Sequence, residues 1–363
     1  MRQDEDLSRK DTGIVTSSGK KEQADHATGS RLTSDDLRAL ALSILRQRPA
    51  ATVRARLLRD VICVAERDER LAQAIEQSGR SPHAHILEQE QRADGSWGRL
   101  HSRDTSARQR IPTTEFGVAR ALALGLDRTH PILNHAMHYL AAVIDGRVVP
   151  PDPPEKNDRW GPGIRLFGAA TLAQIDPEHR ALDPVWTTWL HIAKRSFASG
   201  TYDPSAEIEA HAEWTGATVA GSYLVLSNRY PLTLLSARSS DLPDELRAAI
   251  TGWIYSSNEG IGMLDVPLSR VPEEGASAST IERWIRSHEL LSRFRPVGTH
   301  AKPLFDWLAS CRDDEGWWDL GLRATGTPNL PLSDSWRKKG ARATDWSVRV
   351  LSLLARLMGL CCR

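Results

Sequence analysis

From Ser34 onward the apolar residues of this chain recur every third or fourth position, the period of a helix with one buried face. Ser34 reads as the cap of a first helix bearing Leu37, Leu40, Ile44 and Leu45, which Pro49 closes. A second run carries Val53, Leu57, Val61, Val64, Leu71 and Ile75 on one side, stops at Gly79 before Pro82, and predicts one long helix. Four further apolar helices are predicted: TTEFGVARALALGL from Thr113, SAEIEAHAEWTGATVAGSYLVL from Ser205, STIERWIRSHELLSRF from Ser279 and TDWSVRVLSLLARLMGL from Thr344. No convincing period of two competes with them, although VAGSYLVL alone could pass for a short strand. The Pro-rich VVPPDPPEKND, residues 148 to 158, cannot be helical through its prolines and reads as a long loop, with the helical pattern resuming after Trp160. The expectation is an all-α protein.

Each of the four helices follows a turn of similar design. Leu87, Gln91, Gly95 and Trp97 are matched at identical offsets by Leu308, Arg312, Gly316 and Trp318. Weaker copies place Ile192, Ser196, Gly200 and Tyr202, and then Ile254, Asn258, Gly262 and Leu264, in the same register. The spacing suggests a unit of roughly 50 to 60 residues, with a copy missing near Gly146. About ten to twelve antiparallel helices in such hairpins can close as a ring, one set inside and one outside.

Leu-x3-Gln-x3-Gly-x-Trp resembles the QW repeat of the squalene cyclase and protein prenyltransferase superfamily, the terpenoid-cyclase-like α/α toroids. The resemblance spans residues 80 to 360 and implies an α/α toroid of inner and outer helices. It also implies that Gln and Trp act as a staple, satisfying backbone groups at helix ends and tying one outer helix to its neighbour. Trp97 and Trp318 are thus expected to be structural. Residues 31 to 363 then form one toroid domain behind a polar tail over residues 1 to 30, which has the composition of a disordered segment.

Composition narrows the partners. A net charge of +1 with 26% charged residues gives no basic field, so nucleic acid is not an expected partner. No stretch is long and apolar enough to span a bilayer, which leaves at most peripheral membrane contact. The four cysteines form no CxxC pair or framework, and with no secretory signal at residues 1 to 30 this points to a reducing cytoplasm.

The family's catalytic motifs are missing. There is no Asp-x-Asp-Asp, no Asp-x-Cys zinc element and no Asp-Asp-x-x-Asp, so neither a metal nor another cofactor is expected. At the entry RIPTTEFG only Glu115 supplies an acid, and Thr113 or Thr114 as cap with Glu115 in the first turn accounts for the triplet without catalysis. Glu207 and His211, and likewise Glu209 and Glu213, are four apart and share helix faces; Glu207 with His211 could hold a metal or form an acid and base pair, or simply make a solvated helical contact. Asp345 with Arg349 suits an ordinary helical ion pair, and His288 lies on a helix expected to be inner. Twelve tryptophans outnumber Phe and Tyr together. Trp214, Trp284 and Trp346 on the expected inner helices could pack the core or wall an aromatic cavity that stabilises cations.

The resemblance therefore implies a protein that takes a prenyl or other apolar chain in a central aromatic cavity. Glu115, with His211 and Glu207 as further candidates, would then protonate it, with Trp214, Trp284, Trp346, Asp345 and His288 around the substrate. Two other functions stay open: a noncatalytic binding or scaffolding ring, and a carbohydrate-active toroid using Trp stacking and the acids of the Glu207 helix.

Overall fold

The computed structural model describes residues 32–217, 223–294, 298–321 and 327–360; the tail expected over residues 1 to 30 lies outside them. Among the described residues the chain is all-α, with fourteen α-helices and three short 3-10 turns. The one bridge of β type, between Asn228 and Gly262, is isolated. The described residues belong to one compact unit and share one dominant apolar cluster.

α1 (Ser34–Arg46) starts one residue earlier than expected at its cap: Thr33 accepts from the Asp36 backbone N–H, and the Asp36 side chain accepts from Thr33 in return. The second expected helix is two, α2 (Ala51–Asp60) and α3 (Glu69–Gly79), packed on each other. The chain turns at Cys63, which has φ of 59°, and Asp68 recaps it by accepting from Arg70 N at 2.9 Å. The apolar period ran on through this break because Val61, just past α2, is itself buried. Cys63 also takes part in a disulfide, where the sequence suggested no cysteine framework; Cys311 is a free thiol.

α4 (Pro82–Glu90) leads through the first staple turn to α5 (Thr114–Ala123), and α6 (Pro131–Ile144) leads through the Pro-rich loop to α7 (Trp160–Leu172). α8 (Asp183–Ser196) pairs with α9 (Pro204–Thr215). The helix expected from Ser205 to Leu226 stops early, since Gly216 takes a left-handed φ of 67° that closes α9. α10 (Arg229–Ala237) follows and packs against α7, α8 and α12 (Ala278–Leu291). α10 was not foreseen. α11 (Asp244–Ser256), α13 (Lys302–Ser310) and α14 (Ala341–Leu357) complete the set, and α14 packs back on α1 and α2.

The two strong turns make the same bonds. The indole N–H of Trp97 donates to Leu87 O at 2.8 Å, and that of Trp318 to Leu308 O at 2.7 Å, which satisfies a carbonyl near the end of α4 and of α13. Gln91 Nε2 donates to Gly95 O at 2.9 Å and to Ile132 O at 2.8 Å, tying α4 to α6, while Arg312 Nε donates to Gly316 O at 3.1 Å. The next helix is gripped through a hydroxyl: Trp97 N donates to Thr114 Oγ1 and Trp318 N to Ser347 Oγ. Gly95 has φ of 89°, and a Cβ there would lie 2.3 Å from His135 O, so both conformation and space require glycine. The Tyr202 copy differs, because its hydroxyl turns to Glu207.

Candidate functional site: an arginine-lined chamber

Helices that are otherwise apolar carry charges where their buried stripes should continue. Glu282, Arg286 and Glu289 on α12, with Arg293 just past its end, fall at i, i+4, i+7 and i+11; α14 repeats the spacing with Asp345, Arg349, Ser352 and Arg356. Near its end α2 adds Arg56, Arg59 and Asp60, and α10 begins with Arg229. Residues of α2, α5, α10, α12 and α14 meet around one chamber of about 430 Å³. Six arginines (56, 59, 229, 286, 293 and 356) line it against two carboxylates, Asp60 and Glu289. Leu122, Leu264 and Leu290 supply an apolar part of the wall.

Both carboxylates are already engaged. Arg59 Nε donates to Asp60 Oδ1 at 2.8 Å, with Arg56 Nε at 3.4 Å and Ser352 Oγ at 3.1 Å on Oδ2. Burial would raise the Asp60 pKa, but Arg59 and Arg56 outweigh it and hold it at about 2. Glu289 accepts two bonds of 2.8 Å from Arg349, whose charge overcomes burial and keeps Glu289 ionised below its ordinary range. Arg229 donates to Glu115 Oε2 at 2.8 Å. Arg286 and Arg293 make no hydrogen bond or ion pair among the described residues. Burial, aided by Arg356, pushes Arg293 down to about 10, and burial likewise lowers Arg286. At neutral pH both remain cations, so the chamber holds uncompensated positive charge at a desolvation cost that an anion would relieve.

The side chains expected to share one cavity are dispersed, and none of the eight lines this chamber. Glu115 sits behind Arg229 in a buried cluster, where Tyr230 Oη donates to it at 2.9 Å and His101 Nδ1 lies 2.6 Å from Tyr230 Oη. Burial would raise its pKa, but Arg229, His101 and Tyr230 together lower it, so Glu115 is a carboxylate at neutral pH rather than an acid with a proton to give. Thr113 caps α5 by accepting from Phe116 N, as the sequence allowed.

Glu207 and His211 are buried on α9, packed on α8, and not beside the chamber. Glu207 Oε1 accepts from Leu226 N at 2.6 Å while Oε2 accepts from Tyr202 Oη, so this carboxylate ties down two loops. His211 Nε2 is 3.7 Å from Glu207 Oε1, beyond a hydrogen bond, and its ring stands edge-on to Trp189. Trp214 is 41% exposed and stacks on His191. Trp284 is buried edge-on against His288 and Trp307 of α13. His288 shares a 3.0 Å bond with Tyr255 of α11, and burial pushes its pKa down to about 3, which leaves it neutral. Trp346 is buried and donates to Gly321 O.

The expected pair of Asp345 and Arg349 does not form. Asp345 accepts from Leu332 N, Ser333 N, Ser333 Oγ and Trp336 Nε1, pinning the loop before α14, and Arg349 reaches across to Glu289 and Glu282 of α12. That loop contributes Pro328 and Asn329 to the chamber, and Arg120 of α5 donates to Pro328 O at 3.2 Å.

No family model, curated protein or solved structure matches this chain. What the chamber can do therefore rests on its own residues. No three His, Cys, Asp or Glu side chains among the described residues are placed to share a metal ion, and no described helix is long and apolar enough to cross a membrane. The chamber arginines escaped the sequence reading because each looks like a solvated charge when taken alone. The available signal was the heptad-like recurrence of charge on α12 and α14, inside the period that marks the buried face.

Proposed function

We propose that this chain is a ring of helices whose central chamber binds the phosphate or diphosphate group of a small organic ligand. The observation that carries the reading is Arg286 and Arg293, two half-buried guanidinium groups without partners among the described residues, beside carboxylates that other arginines already occupy. Planar guanidinium forks match phosphate oxygens in geometry and in charge. A chamber of about 430 Å³ falls within the size range of small-molecule sites, and Leu122, Leu264 and Leu290 offer an apolar surface for the rest of the ligand. The ring is supported by the packing of α14 on α1 and α2 and by the five helices that contribute to one cavity. A prenyl diphosphate is the member of this ligand class that also agrees with the resemblance of the two staples to QW repeats.

The proposal is one of binding. Proton-initiated cyclisation through Glu115 finds no support, since the site around it favours the ionised form. Nor do Glu207, Glu209 and Glu213 favour sugar chemistry: they share one helix, and Glu207 is consumed by Leu226 and Tyr202.

Titration calorimetry with inorganic pyrophosphate, geranyl diphosphate and squalene tests the reading. Pyrophosphate should bind, and Arg286→Gln with Arg293→Gln should weaken it by about ten-fold or more, the scale of a lost charged hydrogen bond. Geranyl diphosphate binding more tightly than pyrophosphate supports the apolar seat, and equal affinities remove the prenyl component. Pyrophosphate affinity untouched by the double substitution, or squalene binding with no diphosphate binding, overturns the proposal.

A further inference from the structure

A second cavity, of about 840 Å³, lies among α6, α7, α8 and α9 and shares no lining residue with the chamber. Its make-up is different. Ile144, Val185 and Leu224 give it an apolar bed beside Trp189, and Trp214 stands at its edge. Trp214 has one face covered by the near-parallel ring of His191, with centroids 4.2 Å apart and planes 11° apart, yet it remains 41% exposed. A large aromatic held flat and left open is costly in water and suits a second flat ring.

The charges around this bed are of one net sign. Arg165 and Arg180 line the cavity and form no hydrogen bond or ion pair among the described residues, while Arg147 is paired with Asp145 at 2.7 Å. His179 adds a directed donor: its Nδ1 accepts from Ala181 N at 3.2 Å, so the ring proton sits on Nε2. An apolar bed, one open indole face and two unpaired guanidinium groups make a complementary set for a single kind of ligand.

We infer that this cavity is a binding site for a small amphipathic anion, a planar ring carrying a carboxylate or phosphate. The ring lies against Trp214 and the apolar bed, and Arg165 and Arg180 take the anionic group. The inference does not depend on the central chamber, and its test keeps the two apart.

The probes are 1-naphthoate, 1-naphthyl phosphate, 1-naphthalenemethanol and acetate, titrated calorimetrically into the full chain. The two naphthyl anions should bind, the alcohol about ten-fold more weakly for want of charged hydrogen bonds, and acetate not at all. Which naphthyl anion binds more tightly to the Arg286→Gln, Arg293→Gln variant distinguishes a carboxylate site from a phosphate site. Arg165→Gln with Arg180→Gln should reduce naphthoate to the affinity of the alcohol. Trp214→Ala should weaken all three naphthyl probes by about five-fold. Arg286→Gln with Arg293→Gln should leave naphthoate binding intact. Since Trp214, Arg165 and Arg180 are exposed, unchanged melting of these variants checks that the fold is retained. Equal affinity for naphthoate and the alcohol, indifference to Trp214→Ala, or loss of naphthoate binding in the chamber variant overturns the inference.

Discussion

Trp97 and Trp318 are nearly solvent-free and each donates its indole N–H to a carbonyl ten residues back, so truncation removes a large buried ring and strands a buried acceptor together. Trp97→Ala and Trp318→Ala should each cost about 3 to 5 kcal/mol in urea unfolding, the range for aromatic truncations in cores. A change under about 1 kcal/mol in both would mean that the rings are not fixing the turns. These two residues were legible in sequence because a turn motif depends on identity and spacing over only a dozen positions. Trp284 and Trp346 were not, since their surroundings come from α13 and from Gly321, which no local pattern reveals.

Among the elements, α5 shows how closely helix and staple are fitted. A Cβ on Gly117 would lie 2.5 Å from the Trp97 ring, whereas Gly161 in the first turn of α7 has nothing within 4 Å. Gly117→Ala should therefore destabilise by about 1 to 3 kcal/mol through overpacking, although alanine is the better helix former by about 1 kcal/mol. Gly161→Ala, free of that clash, should be neutral or stabilising by a few tenths to about 1 kcal/mol. Denaturant midpoints that move the same way for both would remove the contact with Trp97 as the cause. Helix class and most helix positions could be read from periodicity, but boundaries set by backbone conformation could not. The apolar period passed through the turn at Cys63 and through Gly216, whose positive φ closes α9.

At the scale of the whole molecule, buried charges join helices far apart in sequence, and this predicts a pH dependence. Asp60 is held at about 2 against an ordinary 3.8, and Glu289 and Glu115 are also lowered in the folded state. A carboxylate whose folded pKa is depressed adds stability that is complete above its unfolded pKa and is lost as pH falls through the folded one. Melting temperature should hold steady from neutrality down to about pH 5 and then fall between about pH 4 and pH 2. A protein that gains stability over that acid window would contradict these pairings. Pairing of this kind was beyond a one-dimensional reading, because Arg349 finds Glu289 and Glu282 only after two helices dock.

The contact of α14 with α2 sets a condition on the route to this state. Ser352 Oγ bonds Asp60 Oδ2 across 292 positions of chain, so the contact of α2 with α14 closes a loop over most of the chain. Loop closure over such a span is entropically demanding, and contacts so distant in sequence slow folding. On the ribosome, the apolar side of α2 that α14 covers emerges long before its partner exists. Until synthesis reaches α14, that surface is open to self-association, and the nascent chain is most exposed to aggregation in that interval.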